Sequence, residues 1–280
     1  MQCNHCMIHD HVPYSATLTR NAPEAPYTRR VRTNVLHFGQ LKLLLSEIQF
    51  LRHIGDWHGC TLVYAGASPG LHLPILLRMF PGLNLVLVDP NPSCMENSAR
   101  IRIMQQYMTD DLANMLAAEL GQNILFVSDI RIGSDIRIGG EENETDNEQQ
   151  ARIQRDMDSQ MRWHSILSPK ASLMKFRLPW NCPYTWYGAG IIYLPIYGKR
   201  LTHESRLLIT RGARVVKYDN QKYERQMAFY NQVTRHATYP GHKCFDCYTL
   251  QLLVGDQAST ILDELSRASL KWAQTHPARQ

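Results

Sequence analysis

Three short apolar runs constrain the fold more than any other feature of the chain. They are TLVYAG at 61–66, NLVLVD at 84–89 and NILFVSD at 123–129. Each is short for a core helix, and each stops at a glycine or an acid. Runs of that kind read as strands buried on both faces, which is the pattern of a parallel sheet. Between them, LHLPILLRMF (71–80) reads as a helix opening and 93–120 is helical in character. Strand, helix, strand, helix, strand at this spacing predicts βαβ units.

The remainder extends that pattern. Leu36 to Ile54 predicts an amphipathic helix with Leu41, Leu44, Leu45, Ile48 and Leu51 on one face. A helix is expected over about 147–166 and strands at ASLMKFR (171–177), GIIYLPIY (190–197) and SRLLIT (205–210). A helix over 220–235, a late strand at CYTLQLLVG (247–255) and a closing helix over 258–273 follow. Residues 1–34 hold no 3.6-residue period and read as an irregular leader, so residues 35–280 make up one domain. SDIRIG occurs in tandem at 128–133 and 134–139, followed by GGEENETDNEQQ. A mobile acidic loop is expected at about 132–150.

Bulk properties narrow the setting. Residues 1–150 carry 11 Lys/Arg against 16 Asp/Glu, a net of −5, while residues 151–280 carry 19 against 9, a net of +10. Charge alone leaves a polyanionic partner and a merely solvated basic surface equally open. No apolar stretch is long enough to span a membrane, and MQCNHCMIHD lacks the layout of a secretory signal. The seven cysteines are an odd number, which favours free thiols in a reducing, cytoplasmic setting. Cys3-x-x-Cys6 and Cys244-x-x-Cys247 together could hold zinc. Cys247, however, opens a run read as a buried strand, so no metal is expected.

The turn VYAGASPGLH (63–72) leaves the first strand at Gly66 and enters a helix near Gly70. Glycines there let a ligand approach the backbone. The second strand ends about twenty residues later in Asp89, where an acid can accept hydrogen bonds from a ribose diol. The loop lacks the G-x-G-x-x-G spacing and carries Pro69, so it offers few N–H groups to a pyrophosphate. A nucleoside without phosphates suits it better, and S-adenosylmethionine is the common one.

Lys42 interrupts LHFGQLKLLL and Lys175 interrupts ASLMKF. A lysine inside an apolar run either snorkels to the surface or sits buried with a partner and a shifted pKa. GQLKLLLSE (39–47), VYAGASPGLH (63–72), ILFVSDIR (124–131), ILSPKASLMKFRLPW (166–180), ESRLL (204–208) and YERQMAFYN (223–231) recur in one order. In that order they resemble the poxvirus cap-specific mRNA 2′-O-methyltransferase family, whose members are also the small, processivity subunit of the viral poly(A) polymerase. The resemblance covers about residues 36–255.

The resemblance implies a Rossmann-like, S-adenosylmethionine-dependent methyltransferase fold, a mostly parallel central sheet flanked by helices. It implies a catalytic tetrad of Lys42, Asp129, Lys175 and Glu204, with Lys175 the candidate base for a ribose 2′-hydroxyl. Asp135 shares the local sequence of Asp129, but only Asp129 directly ends an apolar strand. The match suggests Gln40, Tyr64, Gly66, Gly70, His72, Asp89, Met108, Asp129 and Arg131 near the cofactor, and departs at Asn91, where the relative has arginine. For the 7-methylguanine cap it suggests Trp180 as one stacking ring and Glu224 as a base-reading acid. Tyr27 or Tyr14 is the second ring, and Cys182 falls near the place of a second acid. Lys199, Arg200, Arg206, Arg211, Arg214 and Lys217 are expected to form a basic track for downstream phosphates. The implied substrate is capped mRNA, methylated beside the cap by a viral protein at a cytoplasmic replication site or in the virion. The resemblance leaves room for a poly(A) polymerase catalytic subunit as partner and for a homodimer. Two other readings are a non-enzymatic RNA-binding subunit and a ribose methyltransferase for uncapped RNA.

Overall fold

The computed structural model describes residues 12–28, 36–131, 145–242 and 244–276. Cys3, Cys6, Asp135 and most of the acidic loop lie outside these residues.

An eight-stranded sheet forms the centre. Its parallel half is β2 (Thr61–Ala65), β3 (Asn84–Val88), β4 (Ile101–Met104), β5 (Ile124–Ser128) and β6 (Ala171–Phe176). The antiparallel half is β9 (Ser205–Thr210), β8 (Ile191–Tyr193) and β1 (Thr17–Leu18). β5 and β6 are buried throughout, as expected for strands covered on both faces. The order β1-β8-β9-β6-β5-β2-β3-β4 makes β2 the point from which the chain runs outward first to one side and then to the other. Ligands of open parallel sheets bind at the carboxyl ends of strands at such a switch.

On one face α1 (Gly39–Ile54) packs against α2 (Leu73–Met79), α6 (Phe245–Val254) and α7 (Ala258–Thr275). On the other, α3 (Asp110–Leu120) packs against α4 (Asp146–Leu167). Local chemistry starts these helices. Thr109 Oγ1 accepts from Leu112 N ahead of Asp110 and Asp111, and Thr145 and Glu148 form a capping box. A two-stranded ribbon of β7 (Tyr184–Gly188) and β10 (Val215–Asp219) leads into α5 (Asn220–Gln232), capped by Asp219.

Three expectations need correction. CYTLQLLVG is not a strand but lies within and beyond α6, where Phe245, Thr249 and Leu250 face the core at helical spacing. Segment 93–120 is not wholly helical, because it contains β4 at the sheet edge before α3 begins. The leader is not wholly irregular: Thr17 and Leu18 pair with Tyr193 and Ile192 as an edge strand.

Candidate functional site

Strand register assembles the site. Ala65 is level with Val88 and with Ser128, so Gly66, Asp89 and Asp129 leave the sheet side by side. Ser128 is level with Met174, which sets Lys175 beside Asp129, and Lys175 is level with Arg206 on β9. Glu204 lies just ahead of β9, and Lys42 reaches in from the first turn of α1.

The charged groups meet closely. Lys175 Nζ lies 2.8 Å from Asp129 Oδ1 and donates to the carbonyls of Asp129 and Ile130, each at 3.1 Å. Lys42 Nζ is 2.6 Å from Glu204 Oε1. Arg206 joins the two pairs, 2.8 Å from Asp129 Oδ1 and 3.4 Å from Glu204 Oε1. Arg131 completes the set 3.4 Å from Glu204 Oε2. The structure therefore brings the four predicted residues together and adds Arg206.

That addition takes Arg206 out of the expected basic track. Arg206 is buried among carboxylates, with 5% of its surface exposed. Arg211 leaves the far end of β9, where it donates to Ser168 O and Gln122 Oε1. Lys199 alone of the six lines the cleft described below.

Burial and charge compete in this cluster. Burial would raise the pKa of Asp129, but Lys175, Arg206 and Lys42 outweigh it and hold the carboxyl at about 2. Glu204 behaves likewise and is held well below the usual carboxylate range by Lys175, Lys42 and the two arginines. For Lys175 burial prevails: it pulls the ammonium pKa down despite Asp129 and Glu204, with Arg131 and Arg206 adding to the shift.

Two cavities flank the cluster. One, of about 360 Å3, is lined by Gly66, Ser68, Val88, Asp89, Asn91, Tyr107, Met108, Asp129, Ile130, Arg131 and Trp163. Gly66 has φ +81°, and a Cβ there would stand 2.9 Å from the Asp129 carbonyl carbon. Only glycine permits that approach. The Asp89 carboxylate accepts from Ser68 N at 3.1 Å and Asn91 N at 2.8 Å, which fixes it at the pocket wall. The other, a cleft of about 710 Å3, holds Lys175, Glu204, Arg177, His203, Tyr27, Trp180 and Glu224 among its walls. Arg131 lines both, and the Lys175–Asp129 pair spans from one to the other.

Of the residues suggested for the cofactor, Gly66, Asp89, Met108, Asp129 and Arg131 line the smaller pocket. Tyr64 and His72 are buried against Glu47 instead, and half-buried Gln40 reaches His72. His72 Nδ1 is 2.9 Å from Gln40 Oε1 and its Nε2 is 3.0 Å from Glu47 Oε1, while the Tyr64 hydroxyl donates to Glu47 at 2.8 Å. Gly70, at φ +72°, closes the turn above them, its Cβ position 2.7 Å from the Leu73 side chain. Glu47, between Ser46 and Ile48 on α1, carries no local sequence signal, because its partners come from β2 and the turn after it. Tyr27 and Trp180 are 40% and 44% exposed in the large cleft. Tyr14 is elsewhere, with its ring packed against Tyr239, Phe245 and Tyr248. Cys182 packs against Asn220. Cys244 is buried at the start of α6, and Cys247 takes a contact from the Tyr197 hydroxyl.

A mostly parallel sheet with a glycine turn and an acid at its switch point is a Rossmann-like α/β fold. A family model described as Poly A polymerase regulatory subunit matches residues 14–247, and the chain belongs to that family. The cap-specific mRNA (nucleoside-2′-O-)-methyltransferase of Myxoma virus (strain Lausanne) is 28% identical over 224 residues, 71% of this chain and 62% of that protein. The chain thus spans about three-fifths of the length of that curated relative. The protein of the same name from Fowlpox virus (strain NVSL) is 25% identical over 263 residues, 82% of this chain and 81% of that one. The fold also matches VP4 of bluetongue virus, whose structure is described as a multifunctional RNA-capping production-line. The TM-score is 0.50 at 14% identity, over 78% of this chain and 35% of that one. Among the described residues no helix is long and apolar enough to cross a membrane.

Proposed function

We propose that the chain transfers a methyl group from S-adenosylmethionine to the ribose 2′-hydroxyl of the nucleotide next to a 7-methylguanosine mRNA cap. The observation that carries this reading is that a nucleoside-sized pocket and a larger cleft meet at the Lys175–Asp129 pair. The smaller pocket suits a nucleoside without phosphates. Apolar Val88, Met108, Ile130 and Trp163 share its walls with polar groups, Arg131 is its one cation, and Asp89 keeps lone pairs for a ribose diol. The bound cofactor would supply an electrophilic sulfonium methyl. The remaining steps belong to the protein. Three acceptors surround Lys175 Nζ and suit an ammonium ion, so the lysine must lose a proton before it can act as base. Burial and the neighbouring cations favour that loss. Asp129 and Glu204 stay ionised and orient the two amines, with Arg206 balancing their charge.

A base must be unprotonated, so the transfer rate is expected to rise with pH. It should level off at an apparent pKa below the ordinary lysine value of 10.5. A pH–rate profile checks this, and a profile with no ascending limb anywhere below pH 10.5 would remove Lys175 as base.

The cap part of the proposal draws on Trp180 and Tyr27, two exposed rings in the cleft that holds Lys175, with Glu224 beside them. A cationic 7-methylguanine gains both stacking and cation–π attraction from such rings. Transfer of labelled methyl to short capped and uncapped RNAs tests it. Wild type should prefer capped RNA, and Trp180→Ala should reduce that preference by about tenfold or more. Equal transfer to both RNAs by the wild type would leave a ribose methyltransferase without cap recognition.

The family membership favours a second role beside the first, association with a poly(A) polymerase. RNA binding with no transfer to either RNA would make that role the whole function.

A further inference from the structure

Outside the cleft, the ribbon of β7 and β10 leaves large side chains uncovered. Its inner face is conventional: Thr185 and Tyr187 are buried, and the Tyr218 ring lies 5.2 Å from that of Phe176. Its outer face presents Tyr184 at 48%, Val215 at 58% and Trp186 at 66% exposure. A cation is interleaved with the rings. Lys217 stands opposite Trp186, its Nζ 3.6 Å from the centre of the Tyr184 ring. The acid on this face, Asp219, is engaged as the cap of α5.

We propose that this face is a second contact surface for single-stranded RNA, on which Tyr184 and Trp186 stack bases while Lys217 holds a phosphate. The proposal rests on reading the chain as one that handles RNA. Residues two apart on a strand stand about 7 Å apart on one face, enough for two rings to take separate bases. Rings alternating with cations are the usual composition of a single-strand platform. A protein-binding hot spot would instead be depleted of lysine at its centre. The surface also continues from the rim of the cleft. Asn220 Nδ2 donates to Pro179 O at 2.8 Å and to Thr185 Oγ1 at 2.9 Å, tying the turn that carries Trp180 to the ribbon.

The test uses the full chain, with fluorescence anisotropy on an uncapped RNA of about 20 nucleotides and methyl transfer to a capped RNA of about four. Tyr184→Ala combined with Trp186→Ala should weaken binding of the long RNA about tenfold or more and leave transfer to the short one unchanged. Trp186→Phe should keep most of the affinity, because a ring remains. Lys217→Gln should flatten the salt dependence by about one unit of slope, and it serves alone if the double variant melts early. Unchanged affinity for the long RNA overturns the proposal. So does an equal loss on both RNAs, since the ribbon would then act only through the cleft. Unchanged RNA affinity with a wild-type dimer lost in sedimentation assigns the face to a second copy and overturns it as well. Failure of the wild type to transfer methyl defeats the reading of the cleft and leaves the uncapped-RNA measurement standing.

Discussion

Lys175→Ala is expected to lower methyl transfer by a factor of about 10²–10⁴ or to below detection, which is the usual contribution of a positioned acid–base group. Binding of the methyl donor should survive. The lysine lines the large cleft and not the smaller pocket, whose walls come from Gly66, Asp89, Met108 and their neighbours. The cluster should also hold together, because Asp129 retains Arg206 at 2.8 Å and Glu204 retains Lys42 at 2.6 Å. Single-turnover transfer beside calorimetric titration of the donor separates the two effects. Substantial transfer by the variant would end the assignment of Lys175.

Arg206→Met should destabilise the protein by about 3–5 kcal/mol, the cost of removing one partner from a buried ion cluster. For a chain of this size that lowers the melting temperature by roughly 10 °C. The arginine stands between two carboxylates, and methionine would leave Asp129 with Lys175 as its nearest cation. A second consequence tells an electrostatic role from simple packing. Arg206 helps to lower the Lys175 pKa, and without it Asp129 and Glu204 act on the lysine less opposed. The pH–rate profile should therefore move to higher pH. Calorimetric melting and that profile check the pair of effects, and an unshifted profile would reduce Arg206 to a packing residue.

What the chain revealed before folding, and what it hid, follows from how far each interaction reaches. β2, β3 and β5 were legible because a doubly covered strand must be continuously apolar, and the residue after each run marks the ligand edge. Gly66, Asp89 and Asp129 could be named for that reason. The run at 247–255 was misread because a short apolar stretch fits a buried strand and a buried helix equally well. Its helical spacing shows only against the neighbours that cover it. Arg206 was misread by a different route. It follows Glu204 and Ser205 at the head of SRLLIT, so composition turned it into a phosphate ligand, and only the register of β6 with β9 sets it against Asp129. Glu47 was invisible because its partners, Tyr64 and His72, come from β2 and from the turn after it. Lys42 stood out by interrupting an apolar run, but the resemblance joined it to Glu204, and no local pattern encodes their meeting across 162 positions.

The most direct measurement is the position of the transferred methyl group. The chain, S-adenosylmethionine and a short RNA ending in a 7-methylguanosine cap should give one product. After nuclease digestion, mass spectrometry should find the new methyl on the 2′-oxygen of the nucleotide next to the cap, and Lys175→Ala should give none. A methyl found on a base or at an internal ribose, or no methylated product from the wild-type chain, would contradict the reading of the Lys175–Asp129 junction as a cap-adjacent ribose methylation site.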